Sequence, residues 1–222
     1  MTRPIGVLGG TFDPIHHGHL RFALEAWERL NLDSVRLIPL FQPPHRAAPI
    51  ASPDRRLAML RAAIAGVPGL MADERELRRH AVSYTVDTLS GLRQDCGPLQ
   101  PLCLLLGMDA FQGLATWRRW ERLIDLAHLV VAQRPEAGIP HDGLLHALLA
   151  RHGTEDPGVL HAQPAGAILF CAFTQLDISA SSVRALIAAG KSPRYLLPEA
   201  VLNVIETEHL YRPCNPNSSP AW

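Results

Sequence analysis

The feature that most constrains this chain is its opening, where an apolar run from Pro4 to Leu8 ends on Gly9 and Gly10 and is followed by Leu20, Leu24, Trp27 and Leu30 at helical spacing. A strand, a glycine turn and a helix in that order form the first half of a βαβ unit, so the next strand should run parallel to the first. The alternation continues along the sequence. Val35 to Pro39 reads as a second strand, and the prolines of the segment LFQPPHRAAPIAS that follows forbid both helix and central strand. Ser52-Pro53-Asp54 supplies an N-cap, a proline at the first helical position and an acid in the first turn, which predicts a helix to about Gly66. Tyr84 to Arg93 reads as helix, and Pro101 to Leu106 and Leu126 to Gln133 are continuous apolar runs of the kind that buried parallel strands need. A helix over Gly143 to His152, a last strand over Ala167 to Ala172, and closing helices over Ser181 to Ala189 and Pro198 to His209 complete the pattern. The expectation is an α/β fold, a mostly parallel central sheet flanked by helices with a small C-terminal helical part. Residues 1–212 read as one domain, and the tail 213–222 as flexible.

Composition narrows the partners. The chain has 222 residues, 47% of them hydrophobic, enough for a full core. Lys+Arg and Asp+Glu stand at 21 each, so there is no basic excess to hold nucleic acid or an anionic membrane surface. A small anionic ligand needs only a few local donors and remains open. The basic residues are almost all arginine, with Lys191 the only lysine, while His16, His17, His19 and His45 crowd the first fifth of the chain. Cys96, Cys103, Cys171 and Cys214 show no CxxC spacing, no run approaches the ~18 apolar residues of a membrane span, and MTRPIGVLGG lacks the apolar core of a signal peptide. A reduced, cytoplasmic setting is expected. A homo-oligomer is compatible with everything in the sequence.

Residues 9–20 read GGTFDPIHHGHL. Gly9 and Gly10 permit a tight turn and let main-chain N–H groups approach a ligand with no Cβ in the way, although a plain turn uses the same pair. Thr11 adds a hydroxyl. Gly18 and His19 fall at the start of the next helix, where unpaired N–H groups and the positive end of the dipole suit phosphate, and His16 lies three residues before His19. Together these make a phosphate cradle with neutral or cationic donors. The spacing of His16, His17 and His19 offers no zinc-ligand face, and the stretch is neither a dinucleotide fingerprint nor a Walker A loop.

With those residues in place, GGTFDPIHHGHL resembles the signature of the nucleotidyltransferase superfamily, whose HxGH motif is supplied here by His16-His17-Gly18-His19. The superfamily's second motif, of the form ISSTxIR, is matched near the C-terminus by Ile178 to Arg184. Between and after them, Pro43-Pro44-His45-Arg46, the block SYTVDTL from Ser83, Gly107-Met108-Asp109, Trp117 and the closing PRYLLPEAV are similar to bacterial nicotinate-nucleotide adenylyltransferases. The likeness spans roughly residues 3–212 and implies a Rossmann-like nucleotidyltransferase fold. It implies an enzyme in which the phosphate of nicotinate mononucleotide attacks the α-phosphorus of ATP, forming nicotinate adenine dinucleotide and pyrophosphate in NAD biosynthesis. A phosphomonoester with a second pKa near ~6 is already an anion at neutral pH, so the protein's task is alignment and charge neutralisation rather than acid–base relay.

The resemblance also assigns residues. Gly9, Gly10, Thr11, His16, His19, Gly107, Asp109, Ser179, Ser181 and Arg184 would bind ATP, with His16, His19 and Arg184 acting on the phosphates in the transition state. Phe12, His45, Arg46, Tyr84, Thr85 and Trp117 would bind the acceptor, the start of the helix at Tyr84–Thr85 receiving the nicotinate carboxylate and Trp117 stacking on the pyridine ring. Asp109 would accept hydrogen bonds from a ribose. The residues by themselves also fit blander roles: Asp109 a helix cap, Trp117 core, Tyr84–Thr85 a helix start. Mg²⁺ is expected to bridge the ATP phosphates, held by substrate oxygens and water, so no protein metal site is expected. Three departures stand out, Ala180 where the motif has a second serine, Ser181 where it has threonine, which keeps the hydroxyl, and Arg46 where lysine is common. Nicotinamide mononucleotide or phosphopantetheine as acceptor, and a nucleotide-binding regulator without catalysis, are the competing readings.

Overall fold

A computed structural model describes residues 2–43, 48–133 and 142–213. Among the described residues the apolar runs become β1 (Ile5–Gly10), β2 (Ser34–Pro39), β4 (Leu102–Gly107), β5 (His128–Ala132) and β7 (Ile168–Cys171), and two short strands not expected from the sequence, β3 (Leu70–Ala72) and β6 (Gly153–Thr154), join them. They form one sheet in the order β3-β2-β1-β4-β5-β7-β6. Every pairing is parallel, so the sheet is more uniform than the mostly parallel one expected. Around it lie α1 (His17–Arg29), α2 (Pro53–Ile64), α3 (Arg75–Arg79), α4 (Thr85–Cys96), α5 (Met108–Gln112), α6 (Leu123–Leu126), α7 (Gly143–His152), α8 (Val159–Ala162), α9 (Ala180–Ala188) and α10 (Glu199–Thr207).

Alternate residues of the strands feed two cores, which is why the central strands are predominantly apolar. On one face Leu8, Val35, Leu37, Cys103, Leu105 and Val130 pack with Ala23 and Ala26 of α1, Met59 and Leu60 of α2, and Val201 of α10. On the other Val7, Ile38, Leu104, Leu106 and Val131 pack with Leu89 and Leu92 of α4, Phe111 of α5 and Ile124 of α6. Each fully buried Leu, Ile or Val side chain contributes about 1.5–3 kcal/mol, so both layers of helices are held by burial rather than by helix propensity. Parallel strands covered on both faces require this.

The strand order places the site. From β1 the chain winds outward through β2 to β3, then returns to the other side of β1 and continues through β4 and β5. The winding reverses between β1 and β4, and in open α/β sheets that reversal opens a crevice beyond the carboxyl ends of the two strands. Gly9 and Gly10 end β1, and Gly107 ends β4. Ser52 caps α2 as expected, accepting from the Arg55 N–H at 3.4 Å, and Pro53 opens the helix.

Candidate active site

At the end of β1 the chain makes a turn that depends on Gly10. A Cβ at that position would lie 2.6 Å from the ring of Phe12, so the glycine is required by the close approach of an aromatic side chain. Phe12 itself adopts φ 50°, turns inward to 1% exposure, and sets its ring edge-on to His19 at 5.1 Å between centroids. Its side chain therefore shapes the turn from within. Gly9 differs, since a Cβ there would meet nothing within 4 Å and the residue faces open space.

His16 is the N-cap of α1, in extended backbone, and its ring stacks on that of His19 with centroids 3.8 Å apart. A Cβ on Gly18 would come 3.1 Å from two atoms of the His16 ring, so glycine at 18 lets the imidazole lie against the helix start. Burial lowers the His16 pKa to about 4, helped by the neighbouring His17, and lowers that of His19 to about 3, helped by His16. Both rings are neutral at pH 7. They can offer N–H donors to a phosphate but bring no positive charge, and the Nδ1 atom of each is buried with no hydrogen-bond partner. The closing motif seats against the same turn, with the Leu196 carbonyl accepting the His17 N–H at 2.9 Å.

The charge comes from the other end of the chain. Ser179 caps α9 and shares a capping box with Ser182, each side chain engaging the other's main chain. Ala180 lies beside that box and not within it, which is why the departure at 180 leaves the helix start intact. Arg184, one turn into α9, donates to the Asp13 carbonyl at 2.7 Å and from its other nitrogen to the Ser181 hydroxyl at 3.4 Å. The HxGH turn and the Ile178–Arg184 segment, 171 residues apart at the Arg184–Asp13 contact, are thus joined by the Arg184 guanidinium.

Of the residues expected to bind the acceptor, Tyr84 is the N-cap of α4 and Thr85 its first residue, with no side chain capping the helix start. The Tyr84 ring lies under the Arg118 guanidinium at 4.6 Å. Ser83 ties this end to the segment after β2, accepting from the Phe41 N–H at 3.0 Å and donating its own N–H to Gln42 at 2.9 Å. Trp117 is half-buried against the second core, and Asp109 is exposed in the first turn of α5, whose N-cap is Gly107. His45 and Arg46 lie outside the described residues.

Three residues that sequence reasoning did not single out organise the site. The Asp13 carboxylate is buried and accepts from the Ile50 N–H at 2.8 Å, the Ala51 N–H at 3.1 Å and the Tyr211 hydroxyl at 2.7 Å. Arg56 is fully buried beneath the same loops. Its sequence signal is an arginine at helical spacing from Met59 and Leu60, on a stripe that is otherwise apolar. Among the described residues no group of three His, Cys, Asp or Glu side chains could hold a metal ion, and no helix is long and apolar enough to cross a membrane.

Known proteins match this arrangement. The model of the cytidylyltransferase-like family matches residues 7–186. A protein of Pseudomonas syringae pv. tomato named "probable nicotinate-nucleotide adenylyltransferase" is 50% identical over 220 residues, covering 99% of each chain. One of the same name from Methylococcus capsulatus is 51% identical over 209 residues, 93% of this chain and 99% of its own. Among solved structures, the Plasmodium falciparum nicotinic acid mononucleotide adenylyltransferase complexed with NaAD superposes with a TM-score of 0.71 at 16% identity, covering 94% of this chain and 97% of that one. The same enzyme complexed with APC gives a TM-score of 0.69. At that identity the structural likeness establishes a shared fold.

Proposed function

The chain belongs to the cytidylyltransferase-like family and, within it, to the nicotinate-nucleotide adenylyltransferases, and from that membership we infer that it transfers the adenylyl group of ATP to nicotinate mononucleotide in NAD biosynthesis. An oxygen of the mononucleotide phosphate forms a bond to the α-phosphorus of ATP, the bond from that phosphorus to the bridging oxygen breaks, and pyrophosphate leaves. Both reactants are anions, so the barrier is chiefly one of bringing them in line and neutralising charge.

The observation that carries this reading is the meeting of the HxGH turn and Arg184 at the reversal point between β1 and β4. ATP lies with its phosphates over Gly9, Gly10 and Thr11. His16 and His19 donate N–H bonds to the phosphate oxygens as neutral imidazoles. Arg184 and Ser181 take the β- and γ-phosphates, where a planar guanidinium can engage two oxygens at once. Asp109 accepts from a ribose hydroxyl, His45 and Arg46 hold the acceptor phosphate, and Trp117 stacks on the pyridine. The uncapped N–H groups at Tyr84–Thr85 receive the nicotinate carboxylate, which favours the acid over the amide. Mg²⁺ would supply neutralisation of phosphate charge here, held by the nucleotide and water rather than by side chains of this chain. The donor set fits that role, because the imidazoles, hydroxyls and guanidinium of the crevice are poor ligands for a hard cation and the Asp13 carboxylate is already occupied by three donors.

A pyrophosphate-release assay with ATP and Mg²⁺ tests the assignment, offering nicotinate mononucleotide, nicotinamide mononucleotide and phosphopantetheine in turn. Turnover is expected with the first and much reduced with the other two. Failure with all three would remove the enzyme reading, and preference for another acceptor would reassign it.

A further inference from the structure

Arg56 heads the largest fully buried side chains of the described residues, and none of the roles above uses it. It sits on the inner face of α2, where a guanidinium is tolerated only if its donors are satisfied. Nε donates to the Ala51 carbonyl at 3.2 Å, Nη1 to Thr11 at 2.8 Å and to Leu40 at 2.6 Å, and Nη2 to Phe41 at 3.3 Å. All four acceptors are main-chain carbonyls. They belong to three stretches: the turn after β1 that carries the phosphate cradle, the segment leaving β2, and the segment entering α2. The last two are the stems on either side of His45 and Arg46. Asp13 mirrors this arrangement with the opposite charge, holding the Ile50 and Ala51 N–H groups and the Tyr211 hydroxyl.

We propose that Arg56, with Asp13 as its counterpart, is a positioning residue that fixes the ATP-phosphate turn at Thr11 relative to the two described segments, at Leu40–Phe41 and Ala51, that flank His45 and Arg46 in the sequence. The proposal rests on the adenylyl-transfer reading and adds to it a way of setting the distance between the two reacting phosphates. Neither side chain need touch substrate. Only arginine suits the position, because its rigid five-donor fork can reach carbonyls on three segments at once, whereas an ammonium has three donors at one point. Since a displacement of about 1 Å can cost on the order of 10²-fold in rate, loosening the clamp should act on chemistry and on acceptor affinity together. Three of the four bonds reach these flanking segments, so ATP affinity should change least.

The test is Arg56→Lys, which keeps the charge, measured by steady-state kinetics in each substrate and by thermal melting. The expected result is a fall in kcat of about 10- to 100-fold and a rise in KM for nicotinate mononucleotide of about fivefold or more, with KM for ATP within about twofold. Lowered melting with kcat and both KM values unchanged would show a purely structural arginine and overturn the proposal. Tyr211→Phe removes one hydroxyl from Asp13 and keeps the proposal testable if Arg56→Lys does not fold. The same split at smaller amplitude supports the clamp, and unchanged kinetics overturn it. Absence of nicotinate mononucleotide turnover in the unmodified protein would remove the underlying function, a result visible before any variant is made.

Discussion

Replacing His19 by alanine should lower the rate of adenylyl transfer by about 10²–10³ with little loss of fold. The ring is held neutral, with a pKa of about 3, so the variant removes an N–H donor and not a charge. One preorganised donor to a developing oxyanion is worth about 2.7–4 kcal/mol, and at 1.36 kcal/mol per decade this gives the stated range. Neutrality follows from geometry as well as burial. The His16 and His19 rings are 3.8 Å apart, and two unit charges at that separation would repel by about 4 kcal/mol at an effective dielectric of ~20. His19→Asn, a neutral donor of similar reach, should therefore recover part of the rate, while His19→Lys should not. Single-turnover quench kinetics near neutral pH measure the step, melting curves check the fold, and an NMR titration of the His19 ring in the free protein reads its charge directly. A folded His19→Ala protein slowed by less than about fivefold would refute the donor role. A His19 that titrates near 6.5, together with better rescue by lysine than by asparagine, would refute neutrality.

The same histidines make stability depend on pH. His16 in the folded protein titrates at about 4, below its ordinary 6.5, so the folded state resists protonation, and stability present above pH 6.5 is lost as the pH falls towards 4. At 1.36 kcal/mol per pH unit the loss from His16 is on the order of 3 kcal/mol. Calorimetric melting should show a steeper acid decline for the unmodified protein than for His16→Gln, and parallel curves would contradict the assignment. Gly10→Ala forces a Cβ to within 2.6 Å of the Phe12 ring, and Phe12 in turn abuts His19. Overpacking of this kind costs about 1–3 kcal/mol, so both the melting temperature and the rate should fall, and a variant unchanged in both would show that the turn is not held by this contact.

The elements legible in the sequence are those whose local signal and tertiary role agree. Ser52-Pro53 announces α2, and the buried runs at β4 and β5 are almost wholly apolar, His128 excepted, because both faces are covered. The missed elements are short. β3 has three residues, and α3 begins after Asp73, whose carboxylate accepts from the Arg75 N–H within a stretch dense in arginine and acid. That composition reads as loop, and only pairing with β2 makes Leu70–Ala72 a strand. In the site, the HxGH motif and the Ile178–Arg184 motif were visible because their residue types point to phosphate binding. Asp13, Arg56 and Tyr211 were not, because their role exists only once residues far apart in the chain are brought together, as Tyr211 is with Asp13 across 198 positions. The sequence left the histidines of the cradle as neutral or cationic donors. Burial makes His16 and His19 neutral, so the positive charge beside the turn is that of arginines, Arg184 at the Asp13 carbonyl and Arg56 at the Thr11 carbonyl.

A structure of the protein bound to nicotinate adenine dinucleotide and pyrophosphate would test most directly whether the crevice between β1 and β4 is where the two substrates meet. Pyrophosphate is predicted between His19 and the Ser181–Arg184 pair, with the nicotinate carboxylate at the main-chain N–H groups that open α4. Pyrophosphate away from the HxGH turn, or a nicotinate ring bound away from Tyr84 and Trp117, would contradict the account.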